Sequence, residues 1–211
     1  MDCVTTACSS LLLASVPSEL ADISGCLPPV AGWQARCFGV GVIAASVATT
    51  RLLMELKPSK VLVVGTCGSY DKKLLSVGDF LRVSHAISTS LDVLEGRAYR
   101  PRSEQHSWPA TLHLPVTFPA LSVAVTPGVT KTYYGARLLS SIAAVEHLEL
   151  TGIFAACHDA SVPCGAILAV ANHVGPEAHA QWLVNHTSVS RNLVGALKTN
   201  GIFGALLDTL S

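Results

Sequence analysis

A chain of 211 residues, half of them hydrophobic, 13% charged and with no net charge, suits one compact domain with a substantial core. The charged share lies well under the roughly 25% usual in soluble domains, which implies much internal surface or a self-association face. The sequence has no basic block, so it offers no electrostatic footprint for nucleic acid or an anionic membrane, and the expected partner is a small molecule.

The N-terminal stretch "VTTACSSLLLASV" (4–16) has the apolar centre of a signal peptide, but no Lys or Arg precedes it, the first being Arg36. It reads instead as a strand and a helix. "RCFGVG" (36–41) is a strand ending in a glycine turn, and "IAASVATTRLLMELKP" follows as a helix stopped by Pro58. "KVLVVGTCGS" has a continuous apolar run at 61–64 and then a small-residue turn, the pattern of a fully buried parallel strand. "VGDFLRVSHAIS" (77–88) is strand-like, whereas the polar, Pro-containing segment 95–115 reads as a loop and the best candidate for disorder.

"ALSVAVTPGV" (120–129) is a further strand and turn, a helix or turn surrounds 133–141, and "AAVEHLE" extends toward a sheet edge. "LTGIFAACHDASVP" is a short helix ended near Pro163 and "CGAILAVAN" a buried strand. The segment 176–201 is a helix closed by Gly201. The alternation predicts one α/β domain over 1–211, a three-layer α/β/α arrangement on a mixed, largely parallel central sheet.

Seven cysteines at 3, 8, 26, 37, 67, 157 and 164 form no CxxC pair and no Cys/His ligand spacing, so a reduced cytoplasmic chain without a metal site is expected. No P-loop or dinucleotide fingerprint is present, which leaves no cofactor expected. No apolar run reaches the ~18 uninterrupted residues of a membrane span.

In open α/β sheets ligands collect at the carboxyl ends of strands. Three segments put small or polar groups there: 65–69, His147-Leu148-Glu149 and Ala171-Asn172-His173. Glu149 and Asn172 end two strands joined by one short helix, the order of a βαβ crossover, so they are expected to share a site.

"GVGVIAASVATTRLL", "VLVVGTCGSYDKKLLSVGDF", "VEHLELTGIFAACHDASVP" and "ILAVANHV" fall in the order and spacing of the nucleoside phosphorylase and nucleosidase superfamily, which the chain resembles over about 3–200. That family cleaves N-glycosidic bonds of nucleosides. The resemblance implies that Glu149 accepts hydrogen bonds from ribose hydroxyls while Leu148 packs on the sugar. Taken alone, Glu149 equally suits a helix N-terminus, where the dipole favours a carboxylate.

Asn172 stands where many relatives carry an Asp that serves the purine N7, and the resemblance associates Asn with 6-oxopurines. On its own, an Asn also closes a strand through a local turn. His173 is a candidate acid, although a strand neighbour of Asn172 should point away. Thr66, Cys67 and Gly68 correspond to the loop that contacts the nucleophile, Cys67 being better suited to packing than to attack. Tyr133 falls where relatives place an aromatic over the base, with Tyr134 beside it a further substrate-binding candidate, and Trp182 where a mobile aromatic closes the pocket; Tyr133 and Trp182 also suit a core or interface role.

The nucleophile machinery departs from the family pattern. Hydrolytic relatives carry glutamates after the first strand, and that place is read here as Ala7 to Leu11. Phosphorolytic relatives carry an arginine where Val63 stands. His85, Glu146 or His147 remain as water activators, and Arg36, Arg51 or Arg82 as phosphate partners. Futalosine hydrolases, which release hypoxanthine, also end the last strand in Asn. The resemblance therefore implies hydrolysis of a 6-oxopurine nucleoside or a 5′-modified derivative by a homo-oligomer, dimer or higher. A purine nucleoside phosphorylase and a non-catalytic nucleoside-binding module are the alternatives.

Overall fold

The computed structural model of the protein describes residues 10–20 and 33–203. Cys3, Cys8, Cys26 and the stretch Ala7 to Ser9 lie outside the described residues.

Strand β1 (Ser10–Ala14) runs into a one-turn helix α1 (Pro17–Leu20), and β2 (Trp33–Cys37) is followed by α2 (Val42–Leu56). Next come β3 (Val61–Ser69), β4 (Phe80–Ser88), α3 (Leu91–Leu94), β5 (Ser107–Pro109) and β6 (Ala120–Val125). The chain then forms α4 (Tyr133–Leu139), β7 (Val145–His147), α5 (Leu150–Asp159), β8 (Cys164–His173) and the long α6 (Ala178–Thr199).

The strands form one mixed sheet in the order β2-β1-β3-β7-β6-β4-β5, and β8 pairs with both β3 and β4. Strands β3, β7, β6, β4 and β8 therefore close into a ring, with β1 and β2 extending from it. β1 is parallel to β2 and β3, and β3 is parallel to β8. β4, β6 and β7 run parallel to one another and opposite to β3 and β8.

The continuous apolar runs have a direct cause: both faces of the central strands are covered. Leu11 and Leu13 of β1, with Val61 and Val63 of β3, enter a core shared with Leu52 of α2 and Phe154 of α5. Leu12, Leu62 and Val64 point the other way, toward Leu20 of α1 and Leu193 and Leu197 of α6. Alternation along a strand delivers successive residues to opposite layers. Burying each such side chain contributes about 1.5–3 kcal/mol relative to exposure.

Four expectations change. Thr66 to Ser69 are not a turn but the end of β3, which stays paired with β8 through a register shift between Cys67 and Gly68. "AAVEHLE" does not reach a sheet edge, because β7 lies inside the sheet between β3 and β6. β7 and β8 run in opposite directions, so the segment joining them is not a parallel crossover. The polar segment 95–115 holds β5 and buries Leu114 in the layer beneath α6. Among the described residues, no helix is long and apolar enough to cross a membrane.

Candidate active site

Gly68 brings the site together. In register it faces Glu146 of β7 on one side and Asn172 of β8 on the other. A Cβ at this position would lie 2.8 Å from Asn172 Nδ2 and 2.9 Å from Val174 Cγ2, so only glycine allows the two strand ends to approach. The shared site thus arises from pairing to a common strand, and not from the crossover the sequence suggested.

Beside Gly68 opens a cavity of about 280 Å³ lined by Thr66, Cys67, His147, Leu148, Glu149 and Asn172 of the predicted set, with Trp182 on its α6 side. Three buried carboxylates line it, Glu19, Glu146 and Glu149, at 4%, 6% and 5% exposure.

Glu149 is the N-cap residue of α5, yet its side chain makes no capping bond to that helix. Instead Oε1 accepts from Gly41 N at 2.8 Å, and Oε2 lies 3.0 Å from His147 Nδ1. Gly41 reaches it from a backbone with φ of 91°, in the region that favours glycine. Burial raises the Glu149 pKa, but the charge and hydrogen bond of His147 and the Gly41 and Leu148 amides outweigh it, leaving the pKa lowered. Burial lowers the His147 pKa, while Glu149 and, further off, Glu19 raise it to a net increase. His147 Nδ1 also lies 3.1 Å from the Glu149 amide N. One ring nitrogen cannot donate to the carboxylate and accept from the amide together: the protonated ring donates to Oε2, and a ring with Nδ1 unprotonated accepts from the Glu149 amide.

Glu19 was missed by the sequence reading, which placed the post-strand segment at Ala7 to Leu11. Leu11 lies inside β1, so the carboxylate after the strand comes later, on α1. The readable signal is "SLLLASVPSEL": an apolar strand, Pro17 at the first helical position, then an acid in the first turn. Glu19 Oε1 accepts from Thr66 N at 2.9 Å and Thr66 Oγ1 at 2.7 Å, and Oε2 accepts from Ser15 N at 3.1 Å. These donors offset the cost of burying a carboxylate. Oε2, accepting one bond, keeps capacity for a water.

The other candidates sort by geometry. Glu146 lines the cavity but is engaged by Thr130 N at 3.0 Å, Thr130 Oγ1 at 2.5 Å and Tyr70 OH at 3.3 Å. His85 is exposed on β4. Asn172 has no hydrogen-bond partner among the described residues, leaving its carboxamide to the cavity. Cys67 is buried and its thiol pKa is pushed well up by burial and by Glu19, which makes it a packing residue. Arg36 bonds to Ala35 O and Gln34, Arg51 pairs with Glu55, and Arg82 bonds to Phe118 O; none lines the cavity, and neither does any other Lys or Arg.

Tyr133, Tyr134 and His173 do not line this cavity. Strand alternation sends Asn172 inward and His173 into a neighbouring hollow that Tyr133, at the start of α4, also borders. Tyr134 is exposed, with the Arg137 guanidinium 5.8 Å from its ring centre. Trp182 does border the cavity: its indole donates to Thr66 Oγ1 at 3.1 Å and stacks on His186 at 4.2 Å. His179, Val129 and Val40, with Ser15, Val16 and Ala178, also line it without having been foreseen.

The fold has close counterparts among solved structures. Futalosine hydrolase of Helicobacter pylori superposes with a TM-score of 0.79 at 15% identity, covering 90% of this chain and 96% of that one. The 5′-methylthioadenosine/S-adenosylhomocysteine nucleosidase of the same organism gives 0.79 at 14%, over 90% and 96%. The corresponding enzyme of Neisseria meningitidis gives 0.79 at 14%, over 93% and 98%. At these identities the likeness shows the fold. No curated protein matches the sequence. The family model described as the phosphorylase superfamily matches residues 35–144, more than half of the chain. The protein belongs to the phosphorylase superfamily.

Proposed function

We propose that the protein hydrolyses the N-glycosidic bond of a nucleoside, a 6-oxopurine nucleoside or a 5′-modified derivative of one. The observation that carries this reading is a cavity lined by three buried carboxylates, of which Glu146 is taken up by Thr130 and Tyr70 while Glu19 and Glu149 remain for water and sugar, with no Lys or Arg in the lining among the described residues. Phosphate would need a cationic partner to offset its desolvation, whereas water needs only a base. Futalosine hydrolase and the nucleosidases among the structural counterparts agree with a hydrolytic outcome.

Each residue then has a role. Glu149, held by Gly41 and His147, accepts from ribose hydroxyls and stabilises positive charge growing on the sugar. Glu19 takes a proton from water as its oxygen bonds to C1′. The C1′–N9 bond breaks, its electron pair leaves with the purine, and the purine anion takes a proton from solvent while Glu19 returns its own to solvent. Asn172 donates a hydrogen bond to N7 or O6, since an amide cannot transfer a proton. Leu148 and Val129 supply apolar walls. Glu19 also favours catalysis over a bare binding module, the reading that a missing base had suggested. Self-association is part of the proposal, because Val40, Ile43, Val47 and Met54 leave apolar surface exposed along α2 and its entry turn.

A panel of inosine, guanosine, adenosine and 5′-modified nucleosides, assayed for released base, tests the proposal. Base release from the 6-oxopurine members is expected. Release from none, or from adenosine alone, would contradict it.

A further inference from the structure

We propose that Trp182 is a positioning residue that acts through Thr66 to aim the Glu19 carboxylate, an inference that rests on the hydrolytic reading of the same cavity. An indole Nε1–H can only donate, so in its 3.1 Å bond to Thr66 Oγ1 the hydroxyl must be the acceptor. The single hydroxyl proton is then left for the 2.7 Å bond to Glu19 Oε1, where a carboxylate can only accept. Thr66 N donates to the same Oε1 at 2.9 Å. Both of these bonds fall on one carboxylate oxygen, and Oε2, held only by Ser15 N, is the oxygen left with capacity for water.

Trp182 is itself fixed by surroundings unrelated to any ligand. Its ring lies between His186, with centroids 4.2 Å apart and planes within 14°, and His179, at 6.1 Å and 12°. One residue before it, Gln181 Oε1 accepts from His173 N at 2.9 Å, and three after it Asn185 Nδ2 donates to Ala171 O at 3.0 Å. These two bonds clamp α6 to the end of β8, so the indole reaches Thr66 from a rigid platform. A mobile aromatic cover would need neither the clamp nor the bond to Thr66. A preorganised base gains from this arrangement, because a hydroxyl free to rotate away from Glu19 would leave the carboxylate less firmly oriented.

Trp182→Phe keeps a ring between the two histidines and removes only the N–H donor. The expected result is a loss in kcat of about 5- to 30-fold with KM changed less than about twofold. A residue that merely stacks on the purine would instead raise KM and be rescued by Phe. A second measurement does not depend on turnover. In the ¹H–¹⁵N spectrum the three indole signals are assigned by the loss of one in Trp182→Phe. The Trp182 signal should move upfield in Thr66→Val, which removes its acceptor, and stay near the parent position in Thr66→Ser. An unmoved signal in Thr66→Val, or a Phe variant with parental kcat, would overturn the proposal. A parent protein that releases no base would sink the hydrolytic reading while the spectrum still decided whether the Trp182–Thr66 link exists.

Discussion

His147 and Glu149 form a buried ion pair, Nδ1 to Oε2 at 3.0 Å, two residues apart where β7 passes into α5. The pair makes the site sensitive to pH from both sides. His147 is raised above its ordinary 6.5, so its contribution is full below that value and is lost as pH climbs through the raised folded value. Glu149 is lowered below its ordinary 4.5, so its contribution is full above that value and is lost as pH falls through the depressed one. Stability should therefore hold on a plateau between about 4.5 and 6.5 and decline beyond it on each side, while kcat/KM should fall only through the folded values, below 4.5 on the acid side and above 6.5 on the alkaline side. In His147→Gln the alkaline decline of kcat/KM should disappear and the acid decline move to higher pH. An unchanged profile would show that the pair does not govern the site.

Glu149→Gln keeps the side chain's shape and removes its charge. Losing the charged acceptor for the sugar should cost about 2–4 kcal/mol of transition-state stabilisation, a fall in kcat/KM of roughly 30- to 900-fold. Parental activity in this variant would remove Glu149 from the ribose site.

Glu19→Gln separates binding from chemistry. A lost general base typically costs about 10²- to 10⁴-fold, so kcat should fall by that order while nucleoside affinity, read by calorimetry, stays within a few-fold. If the Gln variant turned over at the parental rate, another group would have to activate the water.

How far the sequence disclosed this arrangement differs from residue to residue, for physical reasons. The buried strands were legible because covering both sheet faces leaves an unbroken apolar run, as at Leu11 to Leu13 and Val61 to Val64. Glu149 and Asn172 were legible as polar residues closing such runs. Glu19 was not, because locating it depends on where β1 ends, and the apolar stretch leaves that boundary several residues wide. The position of Tyr133 and Tyr134 away from this cavity was not legible, because an aromatic at a helix start carries no sign of which cavity it borders. The ring of strands was invisible too, since antiparallel contacts such as Gly68 with Glu146 join residues far apart in the chain.

Gly68→Ala tests the junction of β7, β3 and β8. The added methyl would overlap Asn172 Nδ2 and Val174 Cγ2. Overpacking of this kind costs about 1–3 kcal/mol, so a lowered Tm together with a loss of activity larger than the stability change predicts is expected. An Ala variant with parental Tm and activity would mean the strand ends have room to spare.

Hydrolysis at this site requires water, activated at Glu19, as the acceptor. The most direct measurement is to identify the sugar product of a cleaved 6-oxopurine nucleoside with and without added phosphate. The account predicts free ribose, or the free 5′-modified ribose, formed at a rate independent of phosphate and carrying ¹⁸O at C1 when the reaction is run in H₂¹⁸O and trapped before exchange. A ribose 1-phosphate product formed only when phosphate is present would contradict it.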